Sequence, residues 1–131
     1  MKLLLIALVL AVTGCGGWRL NVQRGISTLA LSASGCGTVL DKANDAKQLA
    51  IRELAKTDAN GAQIVLTGWA QTRSKIFLGC EVANLLAVEA KRLAPAMTSK
   101  DAALWIGKLL AAAADVVKLL NEHGLKLPGG L

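Results

Sequence analysis

The segment from Thr98 to Gly124 constrains the fold most, because its apolar residues recur at helical spacing along its whole length. Thr98 or Ser99 can cap a helix, Asp101 lies in its first turn, and Gly124 follows His123 as a C-terminal stop. One apolar stripe comprises Ile106, Leu110, Ala113, Val117 and Leu120. A second comprises Trp105, Leu109, Ala112, Val116 and Leu119. This pattern predicts a helix that is buried on two sides or that faces a partner or a membrane.

Two further helices are predicted before this segment. The first begins at Thr38 and ends near the helix stop Asn60-Gly61. The second runs from about residue 63 to 94 and ends before Pro95. Its apolar and small residues alternate in steps of three and four: Ile76, Gly79, Ala83, Leu86, Ala90 and Leu93. Residues 63–72 also contain β-forming residues, so a short strand there is an open alternative.

The composition favours an all-α fold. The chain has 131 residues, which suffices for one domain, and 53% are hydrophobic but only 3% aromatic. The core must therefore consist of Leu, Ala, Val and Ile, and Leu and Ala favour helix. We predict a three-helix antiparallel bundle over residues 38–124, preceded by a signal peptide and a flexible tether. Residues 125–131 are expected to form a loose tail.

The N-terminus has the organisation of an exported protein. Lys2 precedes a ten-residue apolar run, residues 3–12, which is too short to span a bilayer as a mature helix. The run ends in Val12-Thr13-Gly14-Cys15, which resembles the lipobox of bacterial lipoproteins. The resemblance covers residues 1–15 and implies removal of residues 1–14 and lipidation of Cys15. The family often marks inner-membrane retention with Asp at the next position, and Gly16 there favours the outer membrane, facing the periplasm.

A second stretch has a similar pattern. Residues 24–37 contain a basic residue, a weakly apolar run and then Ala33-Ser34-Gly35-Cys36. Cys36 is therefore the alternative lipidation site. Because the run is short and interrupted by serines and a threonine, the preferred interpretation makes residues 15–37 the lipidated cysteine and a Gly/Ser-containing tether.

The cysteine count predicts one disulfide. The chain has three cysteines, and lipidation of Cys15 leaves Cys36 and Cys80 as a pair in an oxidising compartment. A helical hairpin centred near residue 60 would bring residue 36 opposite residue 85, about one helical turn from Cys80. No Cys-x-x-Cys occurs and the chain has a single histidine, so we predict neither a metal site nor a cofactor.

Charge and motifs disfavour nucleic-acid binding and catalysis. The net charge of +6 is spread along the chain, and the few aromatic residues form no platform for base stacking. The positive charge instead suits anionic lipid surfaces. The sequence contains no Walker loop, Gly-x-Ser-x-Gly or His-Glu-x-x-His. Glu81 and Glu89 are interpreted as solvated carboxylates and His123 as a helix C-terminal cation, so we do not predict an enzyme.

These features together predict a small envelope lipoprotein of a bacterium or phage, with a non-enzymatic binding or accessory role. Its expected partners are a membrane, through the lipid anchor, and an envelope protein. The candidate interaction face on the third helix comprises Trp105, Leu109, Ala112 and Val116. The alternative is a membrane-active protein, of a lysis or toxin type, that acts through the apolar helix over residues 102–120.

Overall fold

A computed structural model describes residues 17–127, which form three long helices. Helix α1 spans Trp18–Ala55, α2 spans Ala59–Leu93 and α3 spans Ser99–Glu122. A 3-10 turn, Ala94–Ala96, connects α2 to α3 and contains Pro95. The described residues contain no strand, so the all-α prediction is confirmed, and the ambiguous residues 63–72 lie within α2.

Helix α1 begins far earlier than predicted. Residues 18–37 are helical, so the predicted tether is wrong over that range, and so is the helix start at Thr38. The Thr38 hydroxyl instead donates to the carbonyl oxygen of Ser34, within the helix. Buried residues continue at helical spacing through the supposed tether: Val22, Gly25, Leu29, Ser32, Ala33, Cys36 and Leu40. Burial of this face overrides the weak helix propensity of glycine and serine.

Small residues on α1 allow the helices to pack closely. A Cβ atom at Gly25 would lie 3.2 Å from Leu109 Cδ1 of α3, so a larger side chain would push α3 outward. The hydroxyl of Ser32 is buried and donates to the carbonyl oxygen of Thr28 at 2.9 Å. Because this bond satisfies the hydroxyl, the serine is tolerated in the interior.

The loop between α1 and α2 comes earlier in the chain than Asn60-Gly61, where the first helix was predicted to end. α1 ends at Ala55, and Asp58 caps α2 by accepting a hydrogen bond from the Gly61 backbone N–H at 2.8 Å. Asn60 and Gly61 therefore lie in the first turn of α2. An aspartate at the N-cap accepts a hydrogen bond from a backbone N–H that has no partner within the helix. Asp58 therefore fixes where α2 begins.

The three helices alternate in direction. The Cys36–Cys80 disulfide and the bond from Trp69 Nε1 to Asn44 Oδ1, at 3.0 Å, pair α1 with α2 in an antiparallel arrangement. α3 then runs parallel to α1, since Val22 packs with Ala102 near the start of both helices. The largest fully buried side chains are Val22, Leu29, Cys36, Ile76, Leu109 and Leu120.

Helix α3 is much shorter than α1 and covers only part of the α1–α2 hairpin. α1 has 38 residues and α3 has 24, which correspond to axial lengths of about 57 Å and about 36 Å. Since α3 begins level with the start of α1, it leaves the far part of the hairpin uncovered. The part of the α1–α2 hairpin beyond the end of α3 therefore forms a two-helix arm.

The boundaries of α3 agree with the sequence pattern. Thr98 and Asp101 form a capping box, in which each side chain accepts from the backbone N–H of the other. Gly124 has φ of 71° and terminates the helix. The predicted loose tail is wrong for its first part, because Leu127 is buried in the main core. Residues 128–131 lie outside the described range.

Candidate interaction surfaces

Only one of the two predicted lipidation sites lies within the described residues. Cys15 and the signal peptide, residues 1–14, lie outside the described residues. Cys36 forms a disulfide with Cys80, at a Cα–Cα distance of 5.8 Å. Both residues are buried in the core. A sulfur atom in a disulfide cannot also form a thioether, so the Cys36–Cys80 disulfide and lipidation of Cys36 exclude each other.

The predicted interaction face on α3 is not a free surface. Leu109 is 1% exposed and Val116 is 3% exposed, and both belong to the main core. Trp105 and Ala112 are half-buried and pack against that core. The wide apolar face is explained by two neighbours, because α3 contacts α1 at Gly25 and α2 at Gly79.

A cluster of exposed large apolar side chains lies on α2 instead. Its members, between 52% and 65% exposed, are Phe77, Leu78, Val82, Leu85 and Val88. We call this set the α2 apolar face. Sequence reasoning missed it, because the seam through Ile76 and Ala83 accounted for the helix by itself. The sequence nevertheless contains an indication of this face. Around residues 76–88 the helix is apolar on nearly all sides, whereas packing against one core requires an apolar stripe on only one side.

A groove between α2 and α3 adjoins this face. Its volume is about 280 Å³, and it is lined by Leu78, Gly79, Val82, Ala83, Ala112, Asp115, Val116 and Leu119. Gly79 leaves room for the Leu119 side chain of α3, since a Cβ there would overlap Leu119 Cδ2. Small residues thus form part of the floor, while the exposed side chains of Leu78 and Val82 form one rim. Asp115 contributes the charge in this lining.

A polar pair borders the apolar face at the C-terminal end of α2. The carboxylate of Glu89 accepts hydrogen bonds from Arg92, with Nε to Oε2 at 3.0 Å. These hydrogen bonds hold the pKa of Glu89 below its ordinary value and raise the pKa of Arg92. Both groups are exposed to solvent, so the pair contributes little to folding stability.

The described part of the chain offers no arrangement typical of a metal site or a membrane span. Within residues 17–127, no three or more His, Cys, Asp or Glu side chains are grouped where they could hold a metal ion. None of the helices over that range is long and apolar enough to cross a bilayer. Comparison with known proteins found no match to this chain among protein-family models, curated proteins or solved structures.

Proposed function

We propose that the chain is a small lipid-anchored protein of the bacterial cell envelope with a non-enzymatic binding role. The α2 apolar face is the observation that carries the binding role, because a cluster of exposed large apolar side chains on one helix typically marks an interaction site. The Val12-Thr13-Gly14-Cys15 sequence supports the anchor. Since α1 begins at Trp18, a lipid on Cys15 would hold the bundle directly at the membrane, facing the periplasm in the outer membrane.

The occupant that best fits the α2 apolar face is an amphipathic helix of another envelope protein. The adjoining groove has small residues between two helices and large residues at its rim, which suits the apolar side chains of a helix laid along it. The lining extends over residues 78–83 of α2 and residues 112–119 of α3. Asp115 in the lining favours a partner helix that carries a lysine or arginine at that point.

The anchor is tested with the Cys15→Ser variant, which is expected to leave the membrane fraction because it cannot accept the lipid. The intact mass of the parent should match a chain that starts at Cys15 and carries acyl chains. Cys36→Ala is the matched control, since it changes another cysteine, and it should stay membrane-bound. A parent protein that is soluble, or whose chain starts elsewhere, contradicts the assignment.

The binding face is tested by photo-crosslinking in cells, with the photoreactive residue at Leu78 or Leu85. We expect both positions to crosslink to one envelope protein, through residues on one face of a helix in that protein. Leu31 on α1 and Leu104 on α3 are matched controls, because they are leucines of similar exposure, 64% and 63%. Equal crosslinking from the controls, or a product made of two copies of this chain, would overturn the proposal.

The alternative function, membrane activity through the 102–120 helix, requires α3 to leave the bundle. Its residues Ala102, Leu109, Ala113, Val116 and Leu120 are buried, so they reach a lipid surface only after the core opens. We therefore favour the binding role. Dye release from vesicles by the folded chain would reverse this preference.

A further inference from the structure

Three helix termini meet at one end of the molecule. α1 begins there at Trp18, α2 ends at Leu93 and α3 begins at Ser99. A small apolar cluster of Val22, Met97 and Ala102 holds them together. We call residues 17–26 and 88–106 the cationic end.

Positive charge is concentrated at the cationic end. It contains five cations and two carboxylates, a net charge of +3: Arg19, Arg24, Lys91, Arg92 and Lys100 against Glu89 and Asp101. The rest of the described chain is nearly three times as long and has nine cations and seven carboxylates, a net charge of +2. Both carboxylates of the cationic end are also engaged, Glu89 with Arg92 and Asp101 in the capping box.

A groove in this end combines cations with an apolar floor. Its volume is about 570 Å³, and it lies between the start of α1 and the corner that joins α2 to α3. Val22, Ile26 and Ala94 supply apolar surface, and Arg19 and Lys91 supply positive charge. The Trp18 ring also lines the groove, and the Arg19 guanidinium lies 4.8 Å from its centroid. Neither Arg19 nor Lys91 forms a salt bridge within residues 17–127.

We propose that the cationic end is a docking surface for the headgroups of anionic phospholipids, with Trp18, Arg19 and Lys91 as contacting residues. A phosphate matches the two cations, the adjoining glycerol and upper acyl carbons match the apolar floor, and tryptophan favours the membrane interface. Its position at the membrane rests on the proposed lipidation, because Cys15 is two residues before Gly17, a reach of at most about 7 Å. The bundle would then stand on the bilayer, with the two-helix arm pointing away.

Vesicle binding tests this surface without the lipid anchor. The full chain carrying Cys15→Ser is sedimented with vesicles of phosphatidylcholine alone or mixed with phosphatidylglycerol, and the ratio of the two partition coefficients is measured. The N-terminal segment with Lys2 is the same in every variant, so its contribution cancels when the ratios of two variants are compared. We expect clear preference for the anionic vesicles, and its loss at about 1 M salt, where the screening length is roughly 3 Å.

The decisive comparison uses two double variants that remove equal charge. Arg19→Gln with Lys91→Gln should lower the ratio roughly 25-fold, at about fivefold per cation near the surface. Lys42→Gln with Lys75→Gln removes two exposed cations elsewhere and should change it only slightly. Unchanged circular dichroism shows that both remain folded. Equal losses in the two double variants, or no loss in either, would overturn the docking surface, whereas an unlipidated parent would overturn only the anchor.

Discussion

The Leu109→Asp variant is expected to lose its helical fold at neutral pH. The Leu109 side chain is 1% exposed and packs over Gly25 in the contact between α1 and α3. Losing its apolar burial costs roughly 2 to 3 kcal/mol, and an unpaired buried carboxylate adds several kcal/mol more. These costs are comparable to the whole free energy of unfolding of a small domain, about 5 to 15 kcal/mol.

The matched control for this variant is Leu104→Asp. Leu104 lies on the same helix but is 63% exposed, so the same substitution there should change the free energy of unfolding by no more than about 0.5 kcal/mol. Circular dichroism and urea titration of both variants provide the measurement. A cooperative transition for Leu109→Asp at the midpoint of the parent would show that α3 is not packed as described.

Removing the disulfide is expected to have the second largest effect. Cys36 and Cys80 are 44 positions apart, and they join α1 to α2 inside the core. Closing a loop of that length restricts the unfolded chain, and the chain-entropy relation puts the stabilisation at about 4 kcal/mol. The Cys36→Ala, Cys80→Ala double variant should therefore unfold at a much lower urea concentration, with its helices still formed in the absence of urea.

Reductant provides the internal control for the disulfide. In a chain carrying Cys15→Ser, Cys36 and Cys80 are the two remaining cysteines, so a reductant can act only on their disulfide. It should lower the urea midpoint of that chain towards the value of the alanine double variant. The double variant itself should not respond. An identical midpoint for the parent with and without reductant would contradict a disulfide that contributes to stability.

The helices that the sequence predicted best are those with strong local signals at their ends. Helix α3 has a capping box of Thr98 and Asp101 and ends at Gly124. These signals act on backbone groups within a few residues, so they can be recognised from the sequence alone. The prediction failed at Asn60-Gly61, where two signals compete, because a glycine can end one helix or lie in the first turn of the next. Asp58 decided between them by capping α2.

The candidate binding surface could not be predicted because exposure depends on which helices meet. Both faces of α2 are apolar near residues 76–88, and the sequence does not say which of them the bundle covers. The disulfide and the Gly25 and Gly79 contacts select the buried face, and this leaves Leu78, Val82 and Leu85 exposed. The same contacts bury Leu109, which the sequence left as either a core residue or part of an interaction face.

The sequence by itself determined the helical class and the limits of α3, because composition and helix caps act through individual residues and their near neighbours. It indicated Cys36 and Cys80 as a possible disulfide pair but left Cys36 open as a lipidation site. Only the tertiary structure decided that residues 18–37 are helix rather than tether. A Gly/Ser-rich segment has little intrinsic preference for helix, so its state depends on what packs against it. Here α2 and α3 supply that contact, and within this segment Gly25 leaves room for the Leu109 side chain of α3.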